Sequence, residues 1–483
     1  MAAPQTPSDW LPVLAKILDD RYGEDEVASY PAFLKAAGGT PSLRRLRRYA
    51  RGQADLPEMG QNLKASWERF QQKARTDYGG IAVRSLRNRI KPNGIRIGDS
   101  DDNVEVEAAR RIWRNNRLDQ QMSDAIRDYL ECRIGYLVIA QNKDGTAAIT
   151  REKPEQFIAV TDPLRSWRVL ATLKVWRDDM LLIDYAQVMI EGQVQRFARP
   201  SISTTGSWTS NSVDGWEPAG EPESRDGDPK VAILDRTEDG AYLEPHLDVI
   251  DRINLGKLQR LVTTAMQAFR QRAIIPKEGD GGLPKADEQG HDIDWAKLFE
   301  PAPGAMWDIP VAIDIWESQQ TDIRPLLEGE KIDARDFAAA TGTPISVLLP
   351  DGQNQSAEGA AQAKEQQIAQ AHDDIARIQP ALAAMFKNAL AVEGTDLDSR
   401  SGKDTVEVLF APPEHVSLQE RYQAAAQAKQ IGLAMRTIKR DILGMTPDQI
   451  AQDDSDAASS VLMQALAAQS PASGTNNGAN AAS

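Results

Sequence analysis

The chain is 483 residues long, 41% of them apolar and 26% charged, with a net charge of −15. This composition excludes collagen, wholesale disorder and a disulfide scaffold, and at roughly 100–200 residues per domain it predicts about two to four structural units. The single cysteine, Cys132, cannot form an internal disulfide, and no apolar run approaches the ~20 residues that span a bilayer.

The N-terminal MAAPQTPSDWLPVL lacks the basic flank and long apolar stretch of a signal peptide, so the expectation is a protein made in the cytoplasm with no membrane partner. Charge is spread unevenly. Residues 41–98 hold 14 Lys and Arg against 4 Asp and Glu, a local excess of +10 that leaves −25 for the remainder. A protein that grips DNA through its phosphates normally carries a larger basic excess. The balance therefore argues against tight non-specific DNA binding, while allowing a surface that DNA slides past.

Trp10, Leu11, Leu14, Ile17 and Leu18 form an apolar stripe at helical spacing, and a second helix is predicted from near Pro41. SLRRLRRYARGQ (42–53) places arginines on most faces of that helix, which reads as a solvated or intersubunit face, with a nucleic-acid patch as the sharper alternative. The run Ile81–Ile97 alternates apolar and basic residues and is expected to stop at the turn-forming Asn93-Gly94. Asp99–Glu107 looks superficially like a calcium loop, but the sixth-position glycine is missing and Arg110 stands at the twelfth; an acidic helix N-terminus explains it better. Helices at about 104–115 and 119–133 lead into a strand at 135–141, a turn at Asn142–Thr146 and a partner strand at 147–153. Strands at 166–176, 179–190 and 192–199 continue as an antiparallel meander, and residues 200–229 read as a long insertion or binding loop.

Glu244–Arg272 is predicted helical throughout, roughly 43 Å long, with Leu247, Ile250, Leu258, Leu261, Ala265 and Phe269 on one stripe and Pro245 in the first turn. Residues 273–320 are rich in turn signals, with short strands or turns around Ala305–Ile315, before Asp322–Ala340 returns to helix. A polar loop, Leu348–Gln355, precedes a helix over Ala357–Val392, roughly 54 Å long and expected to kink just before Pro380. Ile368, Ala371, Ile375, Ile378, Leu382, Met385 and Ala389 form its apolar side. A strand at 405–411, short helices at about 417–430, 434–443 and 447–452, and a disordered tail at 472–483 complete the chain.

No catalytic constellation occurs. His246, His291, His372 and His415 are never at metal-ligand spacing, and Gly394…Gly402-Lys403 has the wrong spacing for a phosphate loop and Asp404 in place of its Ser or Thr. Asp373 and Asp374 are adjacent on a helix and point to different sides. Neither an enzyme nor a cofactor is expected. What remains is architecture: long helices whose apolar stripes need burial, most cheaply against copies of the same chain closing head to tail.

In this order, several segments resemble the siphovirus type of bacteriophage portal protein, the head-to-tail connector. RRYARGQADLP (47–57) looks like that family's early motif; GYLVIAQN (135–142) and Asp162-Pro163 look like its wing strands; HLDVIDRINLGKLQRLV (246–262) is similar to its first stem helix. TPISVLLPDGQNQSAEGAAQAKEQ (343–366) is the most telling piece, resembling the end of the second stem helix, the tunnel loop and the start of the kinked helix.

The resemblance implies an α+β portal fold: an α/β wing (1–243), a first stem helix (244–272), a small β-rich clip (273–321), a second stem helix (322–347), a tunnel loop (348–356), a long kinked helix (357–392), a helical crown (393–470) and a disordered tail (471–483). It further implies a dodecamer at one capsid vertex of the virion, assembled in the host cytoplasm. Its partners would be double-stranded DNA held transiently, the terminase large subunit, the major capsid protein and scaffold, and head-completion or adaptor proteins. Leu349, Pro350, Asp351, Gly352, Gln353, Asn354 and Gln355 would be the tunnel loop; Arg270, Arg272, Lys277 and Lys285 the basic positions near DNA; and Leu258, Leu261 and Phe269 subunit-packing residues. A virion scaffold or adaptor without a channel is the alternative reading, and a packaging nuclease or ATPase is disfavoured by the missing phosphate loop and metal cluster.

Overall fold

The computed structural model describes residues 4–22, 41–56, 68, 71–98, 103–201, 215–225, 227–268, 272–276, 286, 290, 292, 313–317, 322–349, 357–395, 397, 405–414 and 418–469. The chain divides into two units, one formed by Met1–Gln53, Asp77–Leu247 and Ala338–Ser483, the other by Ala54–Thr76 and Asp248–Phe337.

The first unit opens with helix α1 (Pro7–Tyr22) and the short helix α2 (Leu43–Ala50), whose N-cap Ser42 accepts the Arg45 N–H at 3.1 Å. Helix α3 (Tyr78–Arg87) leads to strand β1 (Pro92–Ile97). Asn93-Gly94 does not end this run as the sequence suggested: it makes a register shift, a bulge, inside a strand that continues to Ile97. Helices α4 (Val104–Asn115) and α5 (Leu118–Cys132) follow, with Asn103 capping α4 and Glu105 and Glu107 in its first turn, as the acidic N-terminal segment predicted.

Strands β2 (Ile134–Gln141) and β3 (Ala147–Glu152) form the expected hairpin. The meander is β4 (Phe157–Asp162), β5 (Arg165–Asp178), β6 (Ile183–Ile190) and β7 (Gln193–Pro200), antiparallel throughout. Sequence reading missed β4 and began β6 four residues early, at 179, where Leu182 instead turns the chain with φ of 52°. Residues 200–229 are not wholly loop: β8 (Glu217–Pro218) and β9 (Glu223–Ser224) both return along β7. Trp216 lies under the Arg199 guanidinium at 4.2 Å and packs on the sheet. Strand β10 (Val231–Asp235) then pairs with β2, giving the order β10-β2-β3.

Alternation along these strands builds two cores. Ile158, Leu173, Val175, Val188 and Phe197 pack against Leu11, Leu14 and Leu18 of α1. The neighbouring positions Phe157, Ala159, Val169, Met189 and Val194 face Ile134, Tyr136 and Val138 of β2. A period-2 sequence buried on both faces thus becomes a sheet held between a helix and a second sheet.

Gly135 lies where that second sheet meets α5. A Cβ there would fall inside contact distance of the Ala125 carbonyl oxygen and 3.1 Å from its carbon, both backbone atoms that cannot rotate away. Gly135→Ala should therefore cost about 1–3 kcal/mol, read as a lowered denaturant midpoint at unchanged slope. A midpoint equal to that of the unaltered protein would mean that α5 gives way freely.

Arg47 corrects the reading of the arginine-rich helix. It is neither solvated nor free for nucleic acid: at 6% exposure it donates to Asp128 Oδ1 at 2.8 Å, to Glu131 Oε2 at 2.5 Å and to Glu155 Oε1 at 2.7 Å. Arg151 completes the cluster on Asp128. Burial pushes the Glu131 carboxyl up against the pull of Arg47. Burial would likewise push Glu155 up, but Arg47 beside it holds that carboxyl below its ordinary range.

Helix α6 (Leu247–Ala268), preceded by a 3₁₀ turn at Glu244–His246, is shorter than predicted. Instead of extending the helix, Arg272 opens strand β11 (Arg272–Pro276), which pairs with β12 (Ile313–Glu317). Helix α7 (Arg324–Thr341), the single turn α8 (Ile345–Leu348) and α9 (Ala357–Val392) follow, α9 running unbroken through Pro380. Its buried face holds Ala371, Ile378, Leu382, Met385 and Ala389 as expected, but Gln367 and Asp374 are buried where Ile368 and Ile375 were expected, and those two are only half-buried.

Strand β13 (Val406–Phe410), in the segment assigned to the crown, pairs with β1 in the segment assigned to the wing. After α10 (Leu418–Gln430), α11 (Met435–Thr437) and a π turn at Ile438–Ile442, the last helix, α12 (Pro447–Gln469), runs far beyond the predicted end at 452. The tail at 471–483 lies outside the described residues.

Candidate functional site

Within the second unit, α6 and the part of α7 up to Phe337 are joined by ion pairs. Arg252 Nε lies 2.9 Å from Asp333 Oδ1, and Arg260 Nε donates to Glu330 Oε1 at 2.6 Å. Asn254, fully buried, accepts both the N–H and the hydroxyl of Thr76 at 3.0 Å. Burial lowers the Lys257 ammonium, with Glu330 opposing. Apolar side chains nevertheless stay uncovered on the same helices: Leu255 at 40% exposure, Leu327 at 39% and Ile332 at 53%. These are apolar side chains that a single chain leaves wet on two ion-paired helices.

The predicted subunit-packing residues divide. Leu258 is buried within its own chain at 1% exposure, leaving little surface to offer a second copy. Leu261 is half-buried, and Phe269 lies outside the described residues. Leu258→Ala should accordingly destabilise the chain itself by about 2–5 kcal/mol, whatever its assembly state. A thermal or denaturant midpoint matching that of the unaltered chain would mean the site collapses around the smaller residue.

Of the predicted channel residues, Leu349 is described: its N–H donates to the Ile345 carbonyl at 2.8 Å, closing α8. Pro350, Asp351, Gly352, Gln353, Asn354 and Gln355 lie outside the described residues, as do Arg270, Lys277 and Lys285. Arg272 is placed at the first position of β11, opposite Glu317.

The approach to this loop is well fixed in the first unit. Gly342 turns the chain with φ of 64° after α7. The Tyr242 hydroxyl donates to the Thr341 carbonyl at 2.6 Å, and Thr343 Oγ1 accepts the Thr341 hydroxyl at 2.9 Å. Upstream, Arg133, itself in a left-handed conformation with φ of 67°, holds Glu244 at the start of the 3₁₀ turn before α6 through two bonds of 2.6 and 2.7 Å. Sequence reasoning named none of Arg133, Tyr242, Thr341 and Thr343. The Thr-Gly-Thr-Pro at 341–344 was the available signal, a turn motif closing a helix.

Among the described residues no group of three or more His, Cys, Asp or Glu could hold a metal ion, and no helix is long and apolar enough to cross a membrane. His372 lies exposed on α9 and pairs with Glu414 at 3.0 Å.

A family profile described as "Phage portal protein, SPP1 Gp6-like" matches residues 40–454. The chain belongs to this portal protein family. Portal proteins of this kind are structural connectors rather than enzymes, and a portal or connector role is the one this chain takes. Among solved structures, the chain is similar to one in the virion of a native gene transfer agent (GTA) particle, with a TM-score of 0.43 and 15% identity over 84% of this chain and 99% of that one. It is also similar to one in the neck of a native GTA particle computed with C12 symmetry, with a TM-score of 0.41 and 15% identity, covering 82% and 98%. A third, from the neck of an empty GTA particle computed with C6 symmetry, has a TM-score of 0.41 and 16% identity, covering 83% and 98%. No curated protein matches the chain.

Proposed function

We propose that copies of this chain close into a dodecameric ring at one vertex of a virus-like capsid, and that double-stranded DNA is packaged and ejected through its central channel. The ring docks the terminase motor during packaging and seats head-completion proteins afterwards, while the capsid protein and scaffold hold its rim. The family match over residues 40–454 carries this reading. In the same scheme α6 and α7 are the stem, the β11–β12 ribbon belongs to the clip, residues 349–355 line the narrowest part of the channel, and 393–470 form the crown.

Charge supports it. A channel must touch a duplex without holding it, because each neutralised phosphate releases counterions and strengthens binding. Twelve copies at −15 each repel DNA over most of their surface. The exposed Leu255, Leu327 and Ile332 give neighbouring copies an apolar contact.

Size exclusion with light scattering should return a mass on the order of ten times the monomer, and negative-stain images should show end-on rings. Ile332→Asp, altering a side chain that the chain leaves half-exposed, should keep the circular dichroism and melting midpoint of the unaltered protein while shifting the ring to monomers. Full-size rings from that variant would remove this face from the contact, and lone particles from the unaltered protein would overturn the ring.

A further inference from the structure

A buried polar cluster in the first unit touches both the C-terminal end of α7 and the middle of α9. Arg236, just past β10, places its guanidinium 6.0 Å from the ring centroids of both Tyr129 and Tyr242. Tyr242 bonds the Thr341 carbonyl at the C-terminal end of α7. Tyr129, on α5, donates its hydroxyl to Asp374 Oδ1 of α9 at 2.7 Å. Arg236 Nε faces that same oxygen at 3.7 Å. One cation thus sits between a tyrosine that holds the end of α7 and a tyrosine that holds α9.

The cluster is incompletely satisfied. Asp374, 2% exposed, has no hydrogen-bond partner for Oδ2, and Arg236 has none for Nε or Nη1. Charge-assisted N–H···O bonds close at about 2.7–2.9 Å, so a relative shift of about 1 Å would turn this loose pair into a bonded one. Around it, Arg377 of α9 reaches Asp239 at 2.6 Å and Asp373 at 3.6 Å, which keeps the neighbouring carboxylates occupied. A buried network short of a bond is costly, so closing that gap would be favoured.

We propose that Arg236 is a positioning residue which, through Tyr242 and the Tyr129–Asp374 pair, sets the spacing between the end of α7 and α9, and that this spacing controls DNA passage. The second half rests on the channel function proposed above; the first half does not.

The test reads the two halves separately in the full-length chain. Spin labels on Val347→Cys and Lys364→Cys, both exposed, report the spacing, with labelled chains diluted in unlabelled ones so that pairs are intrachain. Cys132 is fully buried and its thiol is held protonated by burial, so it stays unlabelled. The unaltered cluster should give one distance; Arg236→Gln and Tyr242→Phe should each add a second, and Arg236→Lys, which keeps the cation, should restore the single one. Particles built with the first two variants should hold less DNA. If Arg236→Gln fails to fold, Tyr242→Phe, which removes one oxygen, carries the test. A single unchanged distance in Tyr242→Phe overturns the positioning role. Altered spacing with normal DNA content overturns its link to passage, and the loop substitutions described in the Discussion then decide whether the channel reading falls with it.

Discussion

Replacing Arg47 with methionine should cost about 3–5 kcal/mol, because it removes one partner of a buried ion-pair cluster and leaves the others uncompensated. Methionine fills the volume but leaves Glu131 and Glu155 with no cation at the distances Arg47 now occupies, while Asp128 keeps Arg151. The sign of the pH dependence follows. Without Arg47 the buried carboxyls rise above their unfolded values, so they favour the protonated form, and the variant loses stability as pH rises through those raised values. Its deficit should shrink as pH is lowered, which denaturant titrations at several pH values would show. A deficit independent of pH would mean that lost packing, rather than uncompensated charge, dominates.

The second large effect concerns DNA. Exchanging both Gln353 and Gln355 for lysine adds about 24 positive charges to a twelve-membered ring, against a duplex whose binding follows salt with a slope close to the number of phosphates met. Packaging or ejection should slow or stall at low ionic strength and recover as salt is raised. Rates equal to those of the unaltered protein at every salt concentration would place residues 349–355 away from the DNA path, leaving the ring intact but the channel lining elsewhere.

Much of this architecture could be read from residue order alone, and the exceptions share a cause. Strand β2 was legible as a short continuous apolar run ahead of a turn, and β3, β5 and β7 as segments bounded by turns. Helix α9 was legible to the residue, but its buried stripe was not. Gln367 and Asp374 occupy it because Arg89 donates to Gln367 at 2.8 Å and Tyr129 to Asp374, partners that lie far away in sequence. Arg47 failed for the same reason: an arginine in an arginine-rich helix reads as surface until three carboxylates from α5 and the β3–β4 turn are seen around it.

Strand β11 was lost because Arg-Ala-Ile-Ile-Pro continues a helical pattern as readily as it starts a ribbon, and the pairing with β12 decides the matter. Helix α12 was cut short because its exposed alanines and serines carry no periodicity. As for the function, its family was legible in ordered motifs, whereas the residues that hold the end of α7 and the middle of α9 were not, because each acts through a contact that sequence spacing does not encode.

The pairing of β1 with β13 joins residues 92–97 to residues 406–410. A polypeptide emerging from the ribosome therefore keeps an early strand waiting, its backbone groups unmet, while some three hundred further residues are added. Prematurely terminated products lack the closing strand and cannot finish this part of the molecule. Chains that stop before residue 406 therefore carry an unpaired edge, and the molecule sorts them out with no separate inspector.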